Sequence, residues 1–220
     1  MLKVSNLYFS YTKEYNILHN INFCLHNKET MFILGEQESG RSSLIRILLG
    51  IETNYKGEVI YDNMPVDRKL FKTTVSVGFL PEKMACMEGK SVYANLKYVL
   101  KIRKVNKAMQ EIKINNALKC YGLETLKDVK MNELGRYDRL KVALARLSMR
   151  KLDYIFVDDI FKDLTGTETK SILTEIKKLI NLNDASAIIV SDNIDNAKHL
   201  KCKKYKLEFG SLDQLEDANV

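Results

Sequence analysis

The stretch "GEQESGRSSL", Gly35 to Leu44, has a glycine, four residues, a second glycine, a basic residue and two serines. It follows the short apolar run "TMFIL" and opens into "SSLIRILLGI", where Leu44, Ile47 and Leu48 recur at helical spacing. A buried strand that stops at a glycine loop and feeds a helix is the setting of a phosphate-binding loop, because loop amides and the helix N-terminus together favour an anion. The side chains depart from that pattern. Arg41 stands where lysine is expected, and Glu36 and Glu38 bring carboxylates into the turn. A carboxylate about 6 Å from a phosphate charge costs under ~1 kcal/mol when water screens it and a few kcal/mol when partly desolvated. Nucleotide affinity is expected to fall unless those side chains swing outward.

Outward from the loop, strand-like and helix-like segments alternate. "KVSNLYFSY", "NINFCLH", "GEVIYD", "VSVGFL", "YIFVDD", "ASAIIVSD" and "KYKLEFG" have the β-prone composition of strands, and a helical pattern runs from about 91 to 150. That helical stretch is expected to form a lobe inserted into one α/β domain covering 1–220. No repeat, low-complexity tract or Pro/Gly-rich linker divides the chain, and its two prolines are Pro65 and Pro81.

Composition narrows the function classes. With 220 residues and 45% hydrophobic content, the chain has enough apolar material for a large core. The longest apolar runs, such as "YIFV" and "AIIV", fall far below the roughly 18 residues of a membrane helix, and "MLKVSNLYFSY" lacks a signal-peptide core. A cytosolic chain is expected. Cys24, Cys86, Cys120 and Cys202 are scattered without a Cys-x-x-Cys pair, which argues against a disulfide framework or zinc site and for buried reduced thiols. The net charge of +7 is spread along the chain. Its densest clusters, "KIRKVNK" and "KCKKYK", lack interleaved aromatics, so they read as solvated surface and no nucleic-acid partner is expected.

In "YIFVDD", Asp158 falls at the carboxyl end of an apolar strand, where open α/β sheets bind ligands. A carboxylate there, close to the loop if the two strands are neighbours, would hold Mg²⁺ together with the hydroxyl of Ser42 or Ser43.

In the order "LYFSY", Gly35 loop, "GEVIYDN", "SVYANLKYVL", "KVALARL", "YIFVDD" and "AIIVSDN", nearly the whole chain resembles the ATP-binding subunits of ABC transporters. The resemblance implies a P-loop core of ABC ATPase type, an N-terminal antiparallel β subdomain, a helical subdomain at about 83–150, and ATP sandwiched in a head-to-tail dimer.

Position by position, the resemblance gives Tyr11 the adenine-stacking role and Gly35, Ser39, Gly40, Arg41, Ser42 and Ser43 the phosphate loop. Asp158, with Ser42, is implied as the Mg²⁺ ligand. Glu82 takes the place of the glutamine that contacts metal and attacking water, although a plain surface residue after Pro81 reads the same way. Asp159 takes that of the catalytic glutamate, with its carboxylate drawn back by about 1.5 Å, where misplacement near 1 Å costs on the order of 10²-fold in rate. Asp192 takes that of the switch histidine, and equally reads as part of a helix-capping turn. Gly135, Arg136 and Tyr137, within "LGRYD", replace the family's "SGG" and remove a hydroxyl while adding bulk. Arg41 keeps the positive charge on a longer, planar group.

These exchanges lead to an expectation of a nucleotide-binding subunit that holds ATP and Mg²⁺ with weak or absent hydrolysis. It would act by dimer closure, as a homo- or heterodimer docked on an integral membrane permease at the cytoplasmic face. A competent but slow transport ATPase, and a soluble ABC protein working on ribosomes or nucleic acid, are the alternatives.

Overall fold

The computed structural model describes residues 1–12, 16–67, 70 and 74–215. Its first sheet has four antiparallel strands in the order β2-β1-β4-β5: β1 (Leu2–Phe9), β2 (Leu18–Leu25), β4 (Tyr55–Tyr61) and β5 (Met64–Pro65). Leu2, Val4, Leu7 and Phe9 of β1 point inward, and the three-residue step from Val4 to Leu7 marks a bulge at Ser5 and Asn6. Gly57 makes that bulge possible. At φ 99° it lies against the bulged backbone, where a Cβ would sit 2.2 Å from the Asn6 carbonyl oxygen.

The second sheet has six strands in the order β10-β9-β3-β8-β7-β6. These are β3 (Thr30–Leu34), β6 (Val77–Leu80), β7 (Tyr154–Asp158), β8 (Ser186–Ser191), β9 (Lys203–Glu208) and β10 (Ser211–Gln214), all parallel to their neighbours except the β9–β10 pair. Every residue of β7 and β8 is buried, which explains their unbroken apolar runs: a central parallel strand is covered on both faces. Alternate residues of β7 enter different cores. Tyr154 and Phe156 join β1, β2, β4 and α1 (Arg41–Leu48), whereas Ile155 and Val157 face the longer helices. Each fully buried side chain of this kind contributes about 1.5–3 kcal/mol relative to exposure.

The helical stretch expected over 91–150 is three helices: α2 (Val92–Ile102), α3 (Lys107–Cys120) and α4 (Arg136–Ser148). Side-chain caps punctuate it: Ser91 Oγ accepts from Ala94 N, and Asn106 accepts from Met109 N. Helix α5 (Gly166–Asn183) opens with a capping box made by Thr165 and Glu168.

Two expectations need correction. The strand carrying Asp158 does not adjoin the strand feeding the glycine loop, because β8 lies between β3 and β7. Their ends are two strand spacings apart, about 10 Å, so the loop and the first turn of the helix after it, not adjacent strand ends, bring the two together. The cysteines are free, yet none is fully buried: Cys24, Cys86 and Cys202 are half-buried, and Cys120, the last residue of α3, is exposed. Among the described residues no helix is long and apolar enough to cross a membrane.

Candidate functional site

Strand β3 delivers the loop, and Gly35 N donates to the Ser191 carbonyl at the end of β8 (3.1 Å). The residue capping α1 is Gly40. Its φ of 98° suits glycine, and an added Cβ would lie 2.8 Å from Leu18 Cδ2. No side chain caps α1 and its first turn holds no acid, so its leading amides have no side-chain acceptor of their own. Glu36 and Glu38 are exposed, with Glu38 at φ 69°, a left-handed conformation that strains a residue with a Cβ.

Arg41 does not extend along the loop. It is 7% exposed and folds inward, placing Nη2 3.0 Å from Asp159 Oδ2. Asp159, 2% exposed and also left-handed at φ 48°, gives the same oxygen to Lys162 Nζ at 2.8 Å. Lys162 continues to Glu82 Oε1 at 3.3 Å, so one ammonium bridges two carboxylates. Among the described residues Arg41 Nη1 and Asp159 Oδ1 are buried without a hydrogen-bond partner, as is Ser39 Oγ. Beside this network the Ser42 hydroxyl donates to the Asp158 carboxylate. Burial pushes the Asp158 carboxyl up from its ordinary value and outweighs Ser42 and Arg41, which pull it down.

Tyr11 stands at the rim, 56% exposed, with its hydroxyl 3.3 Å from Ser43 Oγ. Arg46 Nη1 donates to that same hydroxyl at 3.4 Å. Buried Phe9 meets the Tyr11 ring edge to face, with centroids 4.8 Å apart.

Gly135 caps α4 through its backbone alone and is exposed, but the two residues after it turn inward. Arg136 Nη2 donates to the Ile160 carbonyl at 3.1 Å, and the Tyr137 hydroxyl pairs with Ser171 Oγ at 2.8 Å, tying α4 to α5. Arg136 is therefore committed to its own chain, to the loop just after Asp159. Asp192 is exposed and lines a crevice of about 380 Å³ with Gly35 to Ser39, Lys206 and Phe209. The turn around it is a capping turn: Asn193 accepts from Asp195 N, and Ser191 Oγ accepts from Asn193 N and from Asn196 Nδ2.

The structure thus brings Arg41, Ser42, Asp158, Asp159 and Glu82 into one cluster, with Tyr11 and Ser43 adjoining it and Asp192 across the loop. Lys162 is the member that the motif-by-motif reading misses. The only sequence signal for it is a lysine three residues past Asp159, the residue that follows the strand, and such spacing is commonplace.

Glycine loop, buried strand-end aspartates and rim tyrosine surround the N-terminus of one helix, and comparison with known proteins agrees with that arrangement. A family model described as ABC transporter matches residues 18–162.

The chain belongs to the ABC transporter family.

Among its relatives, a putative ABC transporter ATP-binding protein of Clostridium tetani is 27% identical over 199 residues, 90% of this chain and 45% of that one. The chain thus spans about half the length of that relative. Among solved structures, CbiO1 from Clostridium perfringens, part of the ABC transporter complex CbiONQ, superposes with a TM-score of 0.83 at 23% identity, covering 96% of this chain and 86% of the other. A dimeric ATP-binding cassette in a post-hydrolysis state, bound to ADP and Pi, gives 0.82 at 21% identity over 98% and 99% of the two chains. The chain has the fold of an ABC ATP-binding domain, a P-loop core of mixed α/β sheets.

Proposed function

We infer that this chain is the nucleotide-binding subunit of an ABC-type membrane complex, holding ATP with Mg²⁺ while hydrolysing it slowly or not at all. The observation that carries the reading is the state of Asp159. The carboxylate at the position of the family's general base is buried and accepts from both Arg41 and Lys162 on one oxygen. A carboxylate oxygen already shared by two cationic donors has little capacity left for an attacking water, and the shorter stem of Asp159 sets the group back from it.

The site nevertheless fits a nucleotide. Gly35 and Gly40 let the loop fold tightly on itself, since an added Cβ would meet the Ser39 hydroxyl at Gly35 or Leu18 at Gly40. Ser39 Oγ and Arg41 Nη1 are buried polar atoms awaiting partners. Asp158 and Ser42, already hydrogen-bonded to each other, are the residues that would hold Mg²⁺. Bound there, the metal would supply charge neutralisation for the phosphates.

The proposal includes dimer closure and docking on a permease, by analogy with a dimeric cassette and a subunit of a transporter complex that share this fold. A groove of about 330 Å³ between β6 and helices α2 and α4 supports docking through the helical lobe. It is lined by Met84, Tyr98, Ile102, Arg103, Arg146 and Arg150, with Tyr98 and Ile102 exposed. An apolar floor with basic sides suits an amphipathic segment bearing acidic residues. With such a partner the protein would sit in the cytoplasm on the inner membrane face.

Slow but genuine turnover is the second reading, favoured by Asp159 Oδ1, which has no hydrogen-bond partner among the described residues and would accept from a water admitted beside it. Nucleotide affinity and phosphate release on the purified chain, with and without its co-purifying membrane partner, decide between them. Phosphate release at an ordinary transporter rate by the isolated chain overturns the first reading.

A further inference from the structure

Arg41 and Asp159 form a buried pair that is only half satisfied. One hydrogen bond joins them, and each leaves one buried polar atom, Arg41 Nη1 or Asp159 Oδ1, without a partner among the described residues. A partly satisfied buried network is poised to rearrange, because a further ligand completes bonds that the chain by itself leaves open. Lys162 makes the second bond to the shared oxygen and reaches Glu82 beyond it. It is 35% exposed, so it meets the buried carboxylate from the solvent side.

The geometry points to Lys162 as a positioning residue that governs how readily Arg41 leaves Asp159 for a nucleotide phosphate. In the unliganded chain Arg41 Nη2 is held by Asp159 while Nη1 has no partner among the described residues, so Arg41 must release Asp159 before it can grip a phosphate with both amino groups. The carboxylate left behind is buried, and a buried charge with no counterion is strongly destabilising. Lys162 keeps Asp159 compensated after Arg41 departs, so the exchange costs less than it would with Arg41 as the sole partner. Asp159 opposes nucleotide binding in this arrangement by competing for Arg41, and Lys162 promotes it without touching the nucleotide. The inference rests on the nucleotide-binding reading above and deepens it.

The two roles have opposite signs, which makes a double-mutant cycle decisive. Binding of fluorescently labelled ADP with Mg²⁺ to the full chain avoids any contribution from hydrolysis. Asp159→Asn is expected to tighten binding by about fivefold to tenfold, and Lys162→Met to weaken it by about fivefold. Lys162→Arg, which preserves the charge, restores affinity to within about twofold of the original chain. In the Asp159→Asn background the Lys162→Met effect shrinks to within about twofold, because the carboxylate still paired with Lys162 is the solvent-exposed Glu82. Asp159→Ala replaces Asp159→Asn if thermal melting shows that the latter does not fold. A Lys162→Met loss that persists undiminished in the Asp159 variant overturns the proposal by placing Lys162 directly on the phosphate. Unchanged affinity in both single variants overturns it as well. If folded wild-type, Asp159 and Lys162 variants all fail to bind labelled ADP, the nucleotide-binding reading itself falls. Binding by Asp159→Asn alone supports the competition in its strongest form.

Discussion

The hydroxyl of Tyr11 lies 3.3 Å from Ser43 Oγ, so the aromatic at the rim of the site is tied to the first turn of α1. Phe9, buried behind it, holds the ring edge to face at an interplanar angle of 81°. The ring is thereby kept at the loop while more than half of the residue stays in solvent. Tyr11→Ala is expected to weaken ADP binding by about 1–3 kcal/mol, the value of one stacked base. Tyr11→Phe keeps the ring and should stay within about twofold in a fluorescence titration. Equal losses in both variants would assign the effect to the Ser43 contact instead of stacking.

Glu38 occupies a left-handed backbone position inside the loop. Glycine adopts φ 69° without steric cost, whereas a residue with a Cβ is strained by about 1–2 kcal/mol. Glu38→Gly should therefore raise stability by about 1 kcal/mol, a rise of about 2–4 °C in Tm for a domain of this size. It also removes an exposed anion beside the phosphate loop, so ADP affinity should rise along with Tm. A drop in Tm would show that the Glu38 side chain contributes more than its backbone costs.

Burial raises the Asp158 carboxyl above its ordinary value of 3.8. In the window between 3.8 and that raised value the folded chain binds more protons than the unfolded one, so this group makes stability fall as pH rises. Its favourable contribution is complete below 3.8 and lost above the raised value. Asp158→Asn removes the charge and still offers an oxygen to the Ser42 hydroxyl. The variant should be more stable than the original chain to urea at neutral pH, with the advantage shrinking on acidification toward 3.8. An advantage independent of pH would trace the effect to packing.

Gly135 caps α4 with no side-chain hydrogen bond, at φ −67°, and an added Cβ there meets nothing within 4 Å. Gly135→Ser supplies a hydroxyl to the free amides of the first turn and should add a few tenths of a kcal/mol. It also restores the hydroxyl that the family presents to nucleotide on the opposite subunit. With ATP and Mg²⁺, light scattering should then find more dimer than for the original chain. Dimerisation that is unchanged while stability rises would mean that the inward-turned Arg136 and Tyr137 set the limit.

What the sequence by itself determined was local: a strand, a glycine loop and a helix over 30–48, two apolar strands at 154–158 and 186–191, and the identity of each exchanged side chain in the motifs. Those features are governed by side-chain period and backbone preference over a few residues, and they are legible because neighbours along the chain suffice. The tertiary structure decided that β8 separates β3 from β7, that Arg41 turns onto an aspartate 118 residues away, that Lys162 shares that aspartate, and that Arg136 faces its own chain. Motif reading treats Arg41 as a phosphate ligand and Asp159 as a base because it considers each position alone. Whether two long side chains meet depends on strand order and burial, and those are set by crossovers and core packing that no short window of sequence contains.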